Sequence, residues 1–165
     1  MPEKKWVFDT VVLSNFLLSE ALFMIEKRYR KCGFITWQVY DEVSAGIAEF
    51  PKLKLIDKLI EDKTFKLVAL SLSQRKDFRE LIGHLGKGEA SCIAFAKEQS
   101  ATVVTDDRAA RNQCSLMKIP FTGTVGILKA SLSDGQLSLL RADEILSKMI
   151  DAGFYSPIRS FADIG

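Results

Sequence analysis

One histidine, His84, and three scattered cysteines, Cys32, Cys92 and Cys114, are all the imidazole and thiol side chains this 165-residue chain has. No two cysteines stand as a CxxC pair, so neither a zinc knuckle nor a disulfide framework is indicated. With a single histidine, the common hydrolytic zinc sites are out of reach as well. Unpaired thiols point to a reducing compartment, and a cytoplasmic location is the expectation. Charge of one sign is also missing: 23 Lys and Arg against 21 Asp and Glu leave a net charge of +2. Without a strong bulk field, any binding of nucleic acid must come from a local patch or a metal. No apolar run approaches the roughly 20 residues of a membrane span. A strand-like run begins almost at the N-terminus, which leaves no room for a signal peptide. Repeats, low-complexity stretches and linkers are absent too.

What remains is a 47% hydrophobic, 27% charged sequence, the profile of a globular protein of one domain spanning residues 1–165. Strand-like runs at 5–8, 34–36, 65–70, 102–105 and 120–122 alternate with helical patterns. Helices are expected over 11–18 and 20–31, then over the segment carrying Val39, Val43, Ile47 and Phe50, closed by Pro51. Further helices are expected over 52–61, from a Ser73 N-cap through His84, from Glu89, from Asp107, over 125–133 and around Ile145 to Ile150. The alternation predicts an α/β fold with a mainly parallel sheet of four to five strands. From about Gly153 the periodicity fades, and a loosely structured tail is expected.

Acids follow two of the strands. WVF runs into Asp9, and TVVT runs into Asp106 and Asp107. Ligands of parallel sheets bind beyond the carboxyl ends of the strands, so acids at two such ends face one crevice. Converging carboxylates repel unless a cation or a shared proton resolves them. Glu42 shares a predicted helix face with Val43 and Ile47, and Glu89 shares one with Ile93 and Ala96. Each acid also has a plainer reading: Asp9 as the N-cap of the first helix, Glu42 as a boundary residue, Glu89 as an acid favoured by a helix N-terminus, and one of Asp106 and Asp107 as a cap. Taken together they form an oxygen-only donor set that suits a hard cation, Mg²⁺ or Mn²⁺. His84 reads as a solvated helix-end residue. Thr10 reads as an ordinary helix-start hydroxyl or a partner of Asp9, and Asn15 as an exposed amide or a substrate contact. Lys87, Arg108 and Arg111 flank the acids as candidate substrate-binding cations, with pairing to the acids as the alternative, favoured for Arg108. The basic run at 27–31 reads as a solvated face or a backbone contact.

At VFDTVVLSNFL, VYDEV, LGKGEASCIAFA, VTDDRAAR and FTGTVGILKASLSDG, the chain resembles the PIN-domain family, most closely its VapC-like toxin branch. The resemblance covers nearly the whole chain in the expected order. It implies a three-layer α/β/α sandwich and a divalent metal held by Asp9, Glu42, Glu89 and Asp107, with Asp106 as a fifth member. Asp9, Glu42, Glu89 and Asp107 would then be the catalytic residues of an endoribonuclease acting on single-stranded RNA. Glu89 stands where many relatives carry Asp, which leaves open whether it binds metal directly or through water. A homodimer and a cognate antitoxin protein are further implications. A PIN-like nuclease of RNA processing or DNA metabolism and a non-catalytic PIN-fold interaction domain are the alternatives.

Overall fold

The structure is a computed structural model that describes residues 3–164; residues 1, 2 and 165, included in the expected domain, lie outside the described residues. Five strands form one all-parallel sheet: β1 (Trp6–Phe8), β2 (Gly33–Thr36), β3 (Phe65–Val68), β4 (Thr102–Val104) and β5 (Phe121–Thr122), in the order β3-β2-β1-β4-β5. The inner strands are short apolar runs because a parallel strand covered on both faces needs no polar alternation. Val7, Phe8, Val103 and Val104 are all buried. Phe8 packs its ring between those of Tyr29 and Phe65, at centroid distances of 4.9 and 4.8 Å.

Nine α-helices connect and cover the sheet among the described residues, completing the α/β/α sandwich: α1 (Thr10–Leu18), α2 (Leu22–Tyr29), α3 (Trp37–Ala45), α4 (Leu55–Glu61), α5 (Leu72–Leu81), α6 (Lys87–Gln99), α7 (Arg108–Leu116), α8 (Thr124–Ser133) and α9 (Leu139–Asp151). Helix α6 is the centrepiece. From Ala90 to Ala96 every residue is buried, so the helix is apolar nearly all round, as a helix enclosed by other elements must be. Its alanines let it lie on β1, β2 and β4 while α3, α5 and α7 pack beside it.

Strand order decides where a ligand can go. The chain runs outward from β1 to β3, then returns to place β4 on the other side of β1. The order therefore reverses between β1 and β4, and the crevice of such a sheet opens at their carboxyl ends. Phe8 pairs with Val104, so Asp9 and Thr105 leave the sheet side by side.

Several boundaries differ from the expectations, each for a local reason. The third helix does not run on to Phe50. It stops at Gly46, whose N–H returns to the Val43 carbonyl, and Pro51 instead opens a 3-10 turn over Pro51–Lys54. Proline suits a first helical turn because its missing N–H has no partner there anyway. Ser71, not Ser73, caps α5: its hydroxyl accepts from Gln74 N–H while the Gln74 side chain accepts from Ser71 N–H. That reciprocal Ser-x-x-Gln box outcompetes a lone serine. The helix ends at Leu81, leaving His84 exposed in the turn beyond it. The segment from Gly153 carries only one 3-10 turn, Phe161–Ile164, yet Phe154 and Phe161 are buried. Two aromatic rings in the core anchor a stretch that has no periodicity to reveal it.

Candidate functional site

Asp9 is the innermost acid of the crevice, with 3% of its surface exposed. It caps α1, its Oδ1 accepting from Thr10 N–H at 2.7 Å, and its Oδ2 accepts from the Thr105 hydroxyl at 2.9 Å. Thr105 thereby ties the end of β4 to the end of β1. Its oxygen also accepts from Asp107 N–H at 3.2 Å. Burial is the main force on the Asp9 carboxyl. It outweighs these two hydrogen bonds and, with the nearby charges of Glu89 and Glu42, pushes the pKa from 3.8 up to about 7.

The N-terminus of α6 organises the two glutamates. Glu42 accepts from the Gly88 backbone N–H at 2.7 Å and from the Thr10 hydroxyl at 2.9 Å. It is exposed at the mouth of the crevice rather than part of an inward stripe. A Cβ at Gly88 would lie 2.8 Å from Glu42 Oε1, so a larger residue there would displace the Glu42 carboxylate. Glu89 reaches back to the Gly86 N–H at 3.0 Å, using a donor that the first helical turn leaves free. Partial burial raises the Glu89 pKa against that bond, and the charges of Asp107 and Glu42 raise it further.

Asp107 caps α7 through Oδ2, which accepts from Ala110 N–H at 2.8 Å. Among the described residues, its Oδ1 and the Oε1 of Glu89 accept no hydrogen bond. Thus Asp9, Glu42, Glu89 and Asp107 share one electrostatic neighbourhood, and all four also cap or brace a helix start. The capping readings therefore hold for residues that are also the candidate site.

Asp106 faces the other way. Its Oδ1 accepts from Thr124 N–H at 2.9 Å and its Oδ2 from the Thr124 hydroxyl at 2.6 Å. Asn15 Nδ2 approaches the same Oδ2 at 3.5 Å and donates to the Thr124 hydroxyl at 3.0 Å. Arg111 Nη2 stands 3.8 Å from Oδ1, and its Nε donates to the Thr105 carbonyl at 2.9 Å. The pairing expected of Arg108 therefore falls to Arg111, one helical turn along α7. Arg108 is exposed and, like Lys87, makes no ion pair among the described residues. Asn15 is half-buried and bonded rather than an exposed amide, and the Thr10 hydroxyl serves Glu42 rather than Asp9.

Thr105 and Thr124 are absent from the residues singled out by sequence. Their signal was present, a threonine just before the paired acids and another in the glycine-marked turn after β5, but a threonine carries no charge to draw attention. Gly123 belongs with them, since a Cβ there would fall on Arg111 Nη2 and Asp106 Oδ1.

With the side chains as they lie, no group of three or more His, Cys, Asp or Glu among the described residues is arranged to hold a metal ion. The chemistry of the donor set nevertheless fits a hard cation. Burial first, and then the charges of neighbouring acids, raise the proton affinity of Asp9 and of Glu89, and a divalent charge relieves such repulsion without a proton. The three cysteines are free thiols outside this group of acids, with Cys92 buried and its thiol pushed up by burial. No helix among the described residues is long and apolar enough to cross a membrane.

A family model described as a PIN domain matches residues 5–164. No curated protein matches the chain.

Proposed function

The chain belongs to the PIN-domain family, a nuclease fold whose members generally use divalent metals, and we propose that the carboxylate crevice is its phosphodiester-hydrolysing centre. The observation that carries this reading is the convergence of Asp9, Glu42, Glu89 and Asp107 at the point where the strand order reverses. Asp9 and Asp107 would be direct ligands, because short side chains at strand ends have little freedom to move. Glu42 and Glu89, on the first turn of α6 or bonded to it, would hold the ion or orient its water. Asp106 would brace the site through Thr124 and Arg111. Mg²⁺ or Mn²⁺ held by these carboxylates would supply an activated water and relieve charge building on the phosphate. The residues keep one another in place: Thr105 orients Asp9, Gly88 N–H and the Thr10 hydroxyl orient Glu42, and the exposed cations Lys87 and Arg108 attract the substrate backbone.

We further propose that the substrate is single-stranded RNA, and that the chain is a VapC-like toxin acting as a homodimer in the cytoplasm under a cognate antitoxin. The motif resemblance supports this finer reading. Calorimetric titration with Mn²⁺, paired with cleavage of single-stranded RNA, structured RNA and branched DNA, tests both levels. Mn²⁺ binding with preferential cleavage of single-stranded RNA is expected. Failure to bind Mn²⁺ would instead favour a non-catalytic interaction domain. Cleavage confined to the other substrates would favour a processing or DNA-directed nuclease. A neighbouring small gene for a DNA-binding protein is the expected genetic signature of the antitoxin.

A further inference from the structure

Beside Asp106 lies a hollow of about 560 Å³ that neither Glu42 nor Glu89 lines, within the size range of small-ligand sites. Its walls come from three separate parts of the chain: Arg108 and Arg111 of α7, Phe121 at the start of β5, and Tyr155 and Pro157 of the C-terminal segment. Arg111 lies over the Phe121 ring, 5.2 Å from its centroid. Tyr155 is 95% exposed. An aromatic ring left almost wholly in water, next to a crevice and among cations, is an informative exposure.

The segment that carries Tyr155 is held at both ends. Phe154 is buried and its N–H donates to the Met149 carbonyl at 2.9 Å. Further on, Asp143 of α9 accepts from the Ser160 hydroxyl at 2.9 Å and from Phe161 N–H at 2.6 Å. Tyr155 therefore projects from an anchored bridge, which lowers the ordering cost of packing something against it. Charge decides what that something is. The one acid in the hollow, Asp106, already has both oxygens occupied by Thr124 and is paired with Arg111. Arg108 has no ion pair among the described residues, so the surface left for a ligand is cationic and aromatic. Unpaired bases stack on aromatic and guanidinium planes while the adjoining phosphates meet cations.

Resting on the nuclease reading of the adjoining crevice, we propose that this hollow is a stacking subsite for one unpaired nucleotide next to the cleaved bond. Tyr155 and the Arg111-backed Phe121 are its stacking surfaces, and Arg108 is its phosphate contact. The subsite would restrict the enzyme to strands whose bases can be splayed out.

The test uses the full chain in EDTA, so that binding is read without cleavage, and an oligoribonucleotide carrying a single 2-aminopurine. Quenching on binding is expected. Tyr155→Ala should weaken affinity about tenfold and abolish the quenching, while Tyr155→Phe should restore both. Arg108→Gln should lower the slope of log affinity against log salt by about 0.7, the value for one phosphate contact on a single strand. Wild-type affinity and quenching in Tyr155→Ala would overturn the proposal and leave the hollow to a protein partner. An unchanged salt slope in Arg108→Gln would overturn the phosphate contact. Tyr155-dependent binding without Mn²⁺-dependent cleavage would sink the nuclease reading alone, and cleavage without Tyr155-dependent binding would sink the subsite alone.

Discussion

Asp9 and Asp106 stand at the ends of neighbouring parallel strands, yet their surroundings are opposite. Asp9 is buried, accepts two hydrogen bonds, faces two other carboxylates and holds its proton up to about pH 7. Asp106 is half-exposed, carries Thr124 on both oxygens and has Arg111 for company. An acid whose neighbours are acids is unsatisfied until a cation arrives, whereas an acid bonded to donors and a guanidinium is finished. The comparison separates a buried carboxylate among other acids from one already bonded to donors and a guanidinium, a distinction that adjacency in sequence hides.

Activity should break the symmetry most strongly. Asp9→Ala and Asp107→Ala are each expected to lower Mn²⁺-dependent RNA cleavage by on the order of 10³-fold. Asp106→Asn should cost roughly tenfold or less, acting only through position. Equal losses at Asp106 and Asp107 would erase the distinction.

Proton linkage comes next. The folded-state pKa of Asp9, about 7, exceeds its ordinary 3.8. Stability from this group is therefore complete below about pH 3.8 and is lost as pH rises through 7. Between pH 5 and pH 8 the loss amounts to about 3 kcal/mol. Urea unfolding in EDTA should show that decline, and Asp9→Asn should flatten it. Saturating Mn²⁺ should restore more stability at pH 8 than at pH 5. A slope that survives in Asp9→Asn would count against Asp9 as its source.

Two structural substitutions sharpen the contrast at smaller scale. Thr105→Val leaves one oxygen of a buried carboxylate without its donor and removes the acceptor of Asp107 N–H. A loss of about 2 kcal/mol in chemical unfolding is expected, together with reduced cleavage. Gly123→Ala drives a methyl group into the Asp106–Arg111 contact. It should cost about 1.5 kcal/mol as an overpacking change while leaving Mn²⁺ affinity within a few-fold of wild type. A larger drop in metal affinity from Gly123→Ala than from Thr105→Val would reverse the assignment of the two sides.

Much of this was legible in the chain itself. Short apolar runs separated by helical patterns led to the parallel α/β fold, because strands buried on both faces must be apolar and crossovers must be long. The motifs around Asp9, Glu42, Glu89 and Asp107 led to the family. Boundaries were less legible where two good signals competed, as with Ser71 and Ser73, or with Gly46 ahead of Pro51. The partners of the acids were not legible at all. Thr105 and Thr124 are ordinary hydroxyls until the fold brings them to Asp9 and Asp106, and the choice between Arg108 and Arg111 as the pairing cation turns on where each side chain leaves the first turns of α7.

The sequence by itself determined the kind of molecule: a domain-sized chain with paired acids after apolar strands and too few soft ligands for zinc. Those properties live in residue type and local spacing, which the chain displays directly. Only the tertiary structure decided that Asp9 lacks a counter-charge while Asp106 has one, and that an anchored segment holds Tyr155 beside Arg108. Those facts depend on which groups become neighbours, some close along the chain, as Asp106 and Arg111 are, and some far apart, as Asp9 and Thr105 are, and on how much water each keeps. Strand order and burial set both, and neither is written in any one stretch of sequence.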